Sequence, residues 1–149
     1  MHISEVPQDD AGVLAGFKEL TYARDDGGQY IPVPCAGWDP ANIANHQEWE
    51  RLDQEVAGIA AEVVAGRRSP LAYWMALMQM DVELLSDYTG LWKWRIRRHQ
   101  RPEIFAHLPT ALLERHAQVL GLDIDTLQRL PDPLILPSQR RDRQSRLTP

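Results

Sequence analysis

The chain has 149 residues, an apolar fraction of 44% and a formal net charge of −5. This size suits one modest globular domain with appendages, and the apolar fraction is ordinary for a packed core. No apolar run approaches the roughly 18 residues of a membrane span, the acidic N-terminus predicts no secretory signal, and a single cysteine excludes an internal disulfide. These features favour a cytoplasmic protein.

Charge is divided unevenly along the chain. Residues 1–66 carry 3 basic and 12 acidic side chains, a net charge of −9, whereas residues 67–149 carry 13 and 9, a net charge of +4. This asymmetry is expected if the C-terminal half contacts phosphate and the N-terminal half does not. The alternative is a basic excess that only reflects a solvated tail.

The first predicted element is a β-hairpin. Residues 17–23 and 29–33 contain β-forming side chains and flank an Asp-Asp-Gly-Gly turn at 25–28. Pro32 and Pro34 limit the second strand to a sheet edge because proline donates no N–H. A lone hairpin is marginally stable, so we expect it to pack on the next helix or on a second subunit.

A long amphipathic helix should follow, beginning at Asp39-Pro40 and ending near Gly66. Its apolar residues recur at alternating intervals of three and four. They are Trp49, Leu52, Val56, Ile59 and Val63. This seam predicts packing on the chain's own elements or, equally, a homodimer interface. Residues 1–68 are therefore assigned to packing or dimerisation.

Residues 69–130 are predicted to form a second, helical domain. Ser69-Pro70 begins an apolar helix that should lie in the core. A further helix should begin near Pro109 and end at Gly121, and Asp123 should cap a last short helix. Residues 131–149 contain several prolines and arginines and are predicted to be a flexible basic tail.

At the centre of this domain, residues 80–102 predict two short helices joined by a tight turn. Asp81 can cap the first helix, and Gly90 supplies the left-handed residue that ends it. The second helix should run from Trp92 to Arg101, where Pro102 stops it. At 100° per residue, Ile96 and His99 share the inner side of this helix.

The outer side of the second helix carries the candidate site. Its members are Lys93, Trp94, Arg97, Arg98 and Arg101. The arginine fork matches both phosphate oxygens and the major-groove edge of guanine, so this stripe suits DNA.

Five residues, Leu85, Ser86, Gly90, Leu91 and Ile96, resemble in order and spacing the helix-turn-helix of Xre-type (Cro-like, lambda-repressor-like) DNA-binding proteins. Residues 113–127 resemble the closing segment of that family, so the resemblance spans about 71–130. It implies a mainly α protein of five or six helices. A C-terminal lambda-repressor-like helix-turn-helix module would follow the hairpin and the long helix.

The resemblance also implies a function. The chain would be a transcriptional regulator that binds double-stranded DNA specifically as a homodimer, with helix 92–101 in the major groove and the five outer residues on DNA. The alternative is a protein-interaction module on the same scaffold that does not bind DNA, with Trp92 and Trp94 as anchors. Val82 and Trp92 favour this alternative, since the family usually has Gln and Ser or Thr there.

An enzyme is not predicted. The sequence contains no phosphate-binding loop, no nucleophile–base spacing and no set of metal ligands. We therefore expect no cofactor, no metal, no small-molecule ligand and no membrane contact.

Overall fold

The computed structural model describes residues 1–6, 19–35 and 39–140. In these ranges the protein is mainly α, as predicted, with a two-stranded antiparallel sheet preceding the helices. The strands are β1 (Glu19–Arg24) and β2 (Tyr30–Cys35), and the helices are α1 (Asp39–Val64), α2 (Pro70–Leu77), α3 (Val82–Thr89), α4 (Lys93–His99), α5 (Pro102–Phe105), α6 (Thr110–Leu120) and α7 (Ile124–Leu127). No helix of the described ranges is long and apolar enough to cross a membrane.

The prediction of five or six helices omitted α5. This helix is a single turn with proline at its start, and Phe105 buries against the core. It was missed because four residues contain too little of a 3.6-residue period to be recognised.

The predicted hairpin is confirmed, although residues 17 and 18 lie outside the described residues. Glu19 pairs with Cys35 and Arg24 with Tyr30. In the turn, the Gln29 N–H donates to a side-chain oxygen of Asp25 at 2.8 Å. Ala23 and Cys35 are buried in a small cluster, so one face of the hairpin is packed.

Residues 51–140 form a compact unit with a single large core. Its fully buried side chains include Leu71, Tyr73, Leu85, Ile96 and Leu127. The last turns of α1 belong to this core, since Val56 is buried and Ile59 and Val63 pack against it. This part of the predicted seam therefore packs on the chain's own helices.

The boundaries of this unit differ from the predicted domain, 69–130, at both ends. At the C-terminal end, the Tyr73 hydroxyl donates to the carbonyl oxygen of Ile135 at 2.7 Å, and the Ser138 hydroxyl donates to Asp53 at 2.6 Å. Residues 131–140 are thus packed, whereas a flexible tail over 131–149 was expected. Residues 141–149 lie outside the described residues.

Candidate nucleic-acid interface

The helix pair α3–α4 is fixed by local hydrogen bonds. The Asp81 carboxylate accepts a hydrogen bond from the Leu84 N–H at 2.7 Å, which confirms the predicted cap. Gly90 has φ +67°, in the left-handed region that glycine adopts without strain. Across the turn, the Ser86 hydroxyl donates to the carbonyl oxygen of Leu91 at 2.7 Å. These bonds set where α4 begins.

The C-terminal end of α4 is held by Ser69, at the start of α2. The Ser69 hydroxyl donates to the carbonyl oxygen of His99 at 3.0 Å, and its N–H donates to that of Gln100 at 2.8 Å. Two of the carbonyl groups that every helix end leaves without partners are thereby satisfied. Ile96 is fully buried between these two ends, so α4 has a fixed inner face.

The predicted helix 92–101 is shorter in the structure. It covers Lys93–His99, and Trp92 is the residue that precedes its first turn. Arg101 lies beyond α4 and precedes α5, with an extended backbone. The reason is Pro102, which disfavours helical geometry at the residue before it.

A buried pair of histidines joins α4 to α6. His99 Nδ1 and His116 Nε2 are 2.9 Å apart, and the two rings are nearly perpendicular. Burial lowers the pKa of His116 to about 4, with smaller effects from His99 and Arg115. Burial, with the charges of Arg95 and Arg98, also lowers the pKa of His99. Both rings are therefore neutral near pH 7, and a single N–H···N hydrogen bond joins them.

His116 is fully buried, and its Nδ1 atom has no hydrogen-bond partner among the described residues. The sequence places His99 on the inner face of its helix. The contact of His99 with His116, 17 positions later, has no signal in the sequence, because periodicity identifies a face and not the partner of that face.

The five predicted site residues are all exposed. Lys93, Trp94, Arg97 and Arg98 share α4, whereas Arg101 stands apart, beyond its end. Trp94 is 58% exposed. Such an exposed tryptophan on a well-anchored helix is available to a partner.

The charged residues of this face differ in their partners. Lys93 lies 2.7 Å from a carboxylate oxygen of Glu83 on α3, an ion pair that the sequence analysis missed. Arg97 and Arg98 make no ion pair with an acidic residue of the described part of the chain. Their guanidinium groups can therefore bind an anion without first breaking an ion pair with a described residue.

Comparison with protein-family models, with curated proteins and with solved structures gives no match for this chain. Among the described residues, no group of three or more His, Cys, Asp or Glu side chains could hold a metal ion. The binding partner is therefore inferred from α4 itself, a short and fixed helix. Its outer side presents cationic side chains and the indole ring of Trp94.

Proposed function

We propose that the protein is a transcriptional regulator that binds double-stranded DNA specifically and places α4 in the major groove. The observation that carries this proposal is the pair Arg97 and Arg98, exposed and without an acidic partner among the described residues. Both are mounted on a helix whose inner face is held by Ile96, His99 and Ser69. A fixed helix with an outer cationic face suits a groove whose walls are phosphates.

Each outer residue has a role in this proposal. Arg97 and Arg98 contact phosphates or the O6 and N7 atoms of guanine, and Trp94 packs on a thymine methyl group or a sugar. Lys93 must give up its ion pair with Glu83 to reach a phosphate, so it contributes less to the free energy of DNA binding. Arg101, beyond the helix, contacts a phosphate at the edge of the groove.

A homodimer completes the proposal. Two copies would present two α4 helices to one side of the duplex, in successive major grooves. Their half-sites would be separated by about 10 base pairs, or about 34 Å. The bound sequence would then be a near-palindrome.

Selection from a library of duplexes with a randomised central region tests the proposal. We expect enrichment of sequences with two inverted half-sites about 10 base pairs apart. The variant Arg97→Ala/Arg98→Ala should give no enrichment under the same conditions. Recovery of unenriched duplexes by the wild-type protein would argue against specific DNA recognition.

A further inference from the structure

A groove of about 820 Å³ lies beside α4, between one flank of that helix and the segment from Glu103 in α5 to Leu112 in the first turn of α6. Cavities of this size accommodate ligands or the anchoring side chains of a peptide. Arg97 does not line this groove. Arg95 does, and the two arginines stand about 200° apart around the helix axis. The groove therefore occupies one flank of α4.

Apolar side chains dominate the groove. Ile104, Leu108 and Leu112 line it and are half-buried, so each still offers apolar surface. Trp92 and Trp94 also line it and are 73% and 58% exposed. Tryptophan beside an apolar cleft is typical of the anchoring positions of protein interfaces. An apolar side chain of a partner would bury against these residues.

Cations border the same groove. Arg95 and Arg98 both line it, and neither pairs with an acidic side chain in the part of the chain that the structure describes. Glu103 is the single acidic residue of the lining. The complement of this surface is an apolar anchor flanked by carboxylates.

We propose that this groove docks an acidic segment of a partner protein, with one or two aliphatic or aromatic side chains in the apolar part and carboxylates on Arg95 and Arg98. Charge complementarity favours an acidic segment, because Arg95 and Arg98 outnumber Glu103 in the lining. A polypeptide is favoured over nucleic acid because the aliphatic side chains of Ile104, Leu108 and Leu112 complement apolar side chains, which a phosphate backbone lacks. The proposal does not depend on DNA binding by α4.

The test uses a fluorescein-labelled 12-residue peptide in which two leucines, three positions apart, stand among aspartates and glutamates. We expect saturable binding to the full chain in fluorescence anisotropy at low salt. Arg95→Glu should weaken binding about tenfold, whereas Arg97→Glu, the same reversal on the other flank of α4, should weaken it about twofold. Trp92→Ala should weaken it without changing charge, and a peptide with alanines for leucines should not bind.

Several results would overturn the proposal. If Arg97→Glu and Arg95→Glu weaken peptide binding equally, the peptide binds as a nonspecific polyanion and not in the groove. Absence of peptide binding would reject the acidic segment outright. If the peptide fails but sedimentation shows self-association that Arg95→Glu abolishes, the occupant is a second copy. If it fails and Arg95→Glu weakens binding of a labelled duplex as strongly as Arg97→Glu, the groove belongs to the DNA surface.

Discussion

His99 and His116 form the buried hydrogen bond between α4 and α6. A neutral imidazole offers one donor and one acceptor, so two neutral rings can form one N–H···N bond, as their 2.9 Å separation indicates. If both rings were protonated, neither facing nitrogen could accept, and two charges would be buried together. The packing of the candidate DNA-binding helix therefore depends on neutral histidines.

This dependence predicts a loss of stability in mild acid. The pKa of His116 in the folded protein is about 4, below the ordinary value near 6.5, so the unfolded chain binds more protons between these values. The free energy of unfolding is therefore not reduced by this effect above about pH 6.5. It falls by on the order of 3 kcal/mol as the pH is lowered to about 4. Urea unfolding between pH 7.5 and pH 4 measures it.

Two variants isolate the contribution of the pair. His99→Leu/His116→Leu removes both rings and should flatten the pH dependence relative to the wild type, since carboxylates titrate alike in both proteins. His107→Gln changes an exposed histidine and should preserve the wild-type dependence. An unchanged pH dependence in the double variant would show that the buried rings are not responsible.

At the scale of elements, the turn between α3 and α4 was predictable because its signals are local. As predicted, Asp81 caps the start of α3 and Gly90 ends it, and each bonds to a residue only three or four positions away. The end of α4 was predicted two residues too late, at Arg101. Pro102 marked the break, but the contact of Ser69 with the last carbonyl groups of α4 comes from a residue 30 positions earlier.

Replacing Gly90 tests the geometry of this turn. An added Cβ would meet no atom within 4 Å, so Gly90→Ala should act only through its φ of +67° and destabilise the protein by about 1 kcal/mol. Gly58→Ala is the matched control: its Cβ is also unobstructed, but it lies inside α1 and should stabilise by up to about 1 kcal/mol. Urea unfolding of both variants measures these values; equal effects would mean that the turn is not left-handed.

At the scale of the molecule, the sequence predicted a mainly α chain but misplaced the limits of its packed unit. The prolines near residue 131 suggested a tail. Proline disrupts regular structure without preventing burial, and the intervening Leu134, Ile135 and Leu136 pack against the core. Likewise, the seam of α1 identified an apolar stripe, but periodicity alone did not say that Val56 would be buried inside this chain.

Two fragments distinguish these boundaries. Residues 51–140 contain the whole core and should unfold cooperatively in urea. Residues 69–130, the domain predicted from sequence, lack Val56, Ala60 and the carbonyl group of Ile135 that Tyr73 binds. The shorter fragment should be less stable by several kcal/mol, since each large core truncation costs about 2–5 kcal/mol. Equal stability would show that the flanking segments contribute no packing.

The two halves of the sequence carry net charges of opposite sign. Residues 67–149 are net +4 and residues 1–66 net −9, and α4 lies in the basic half. DNA binding by such a chain should depend on the position of its arginines, not on total charge, and should weaken with salt as counterions return to the duplex.

The decisive measurement is fluorescence anisotropy with sheared genomic DNA over a range of salt concentrations. Arg97→Ala/Arg98→Ala should reduce affinity and lower the slope of log affinity against log salt by about 2. Arg67→Ala/Arg68→Ala removes the same charge from an exposed pair before α2 and should leave the slope nearly unchanged. Equal losses in both variants, or no salt-dependent binding by the wild-type protein, would contradict α4 as the DNA-binding element.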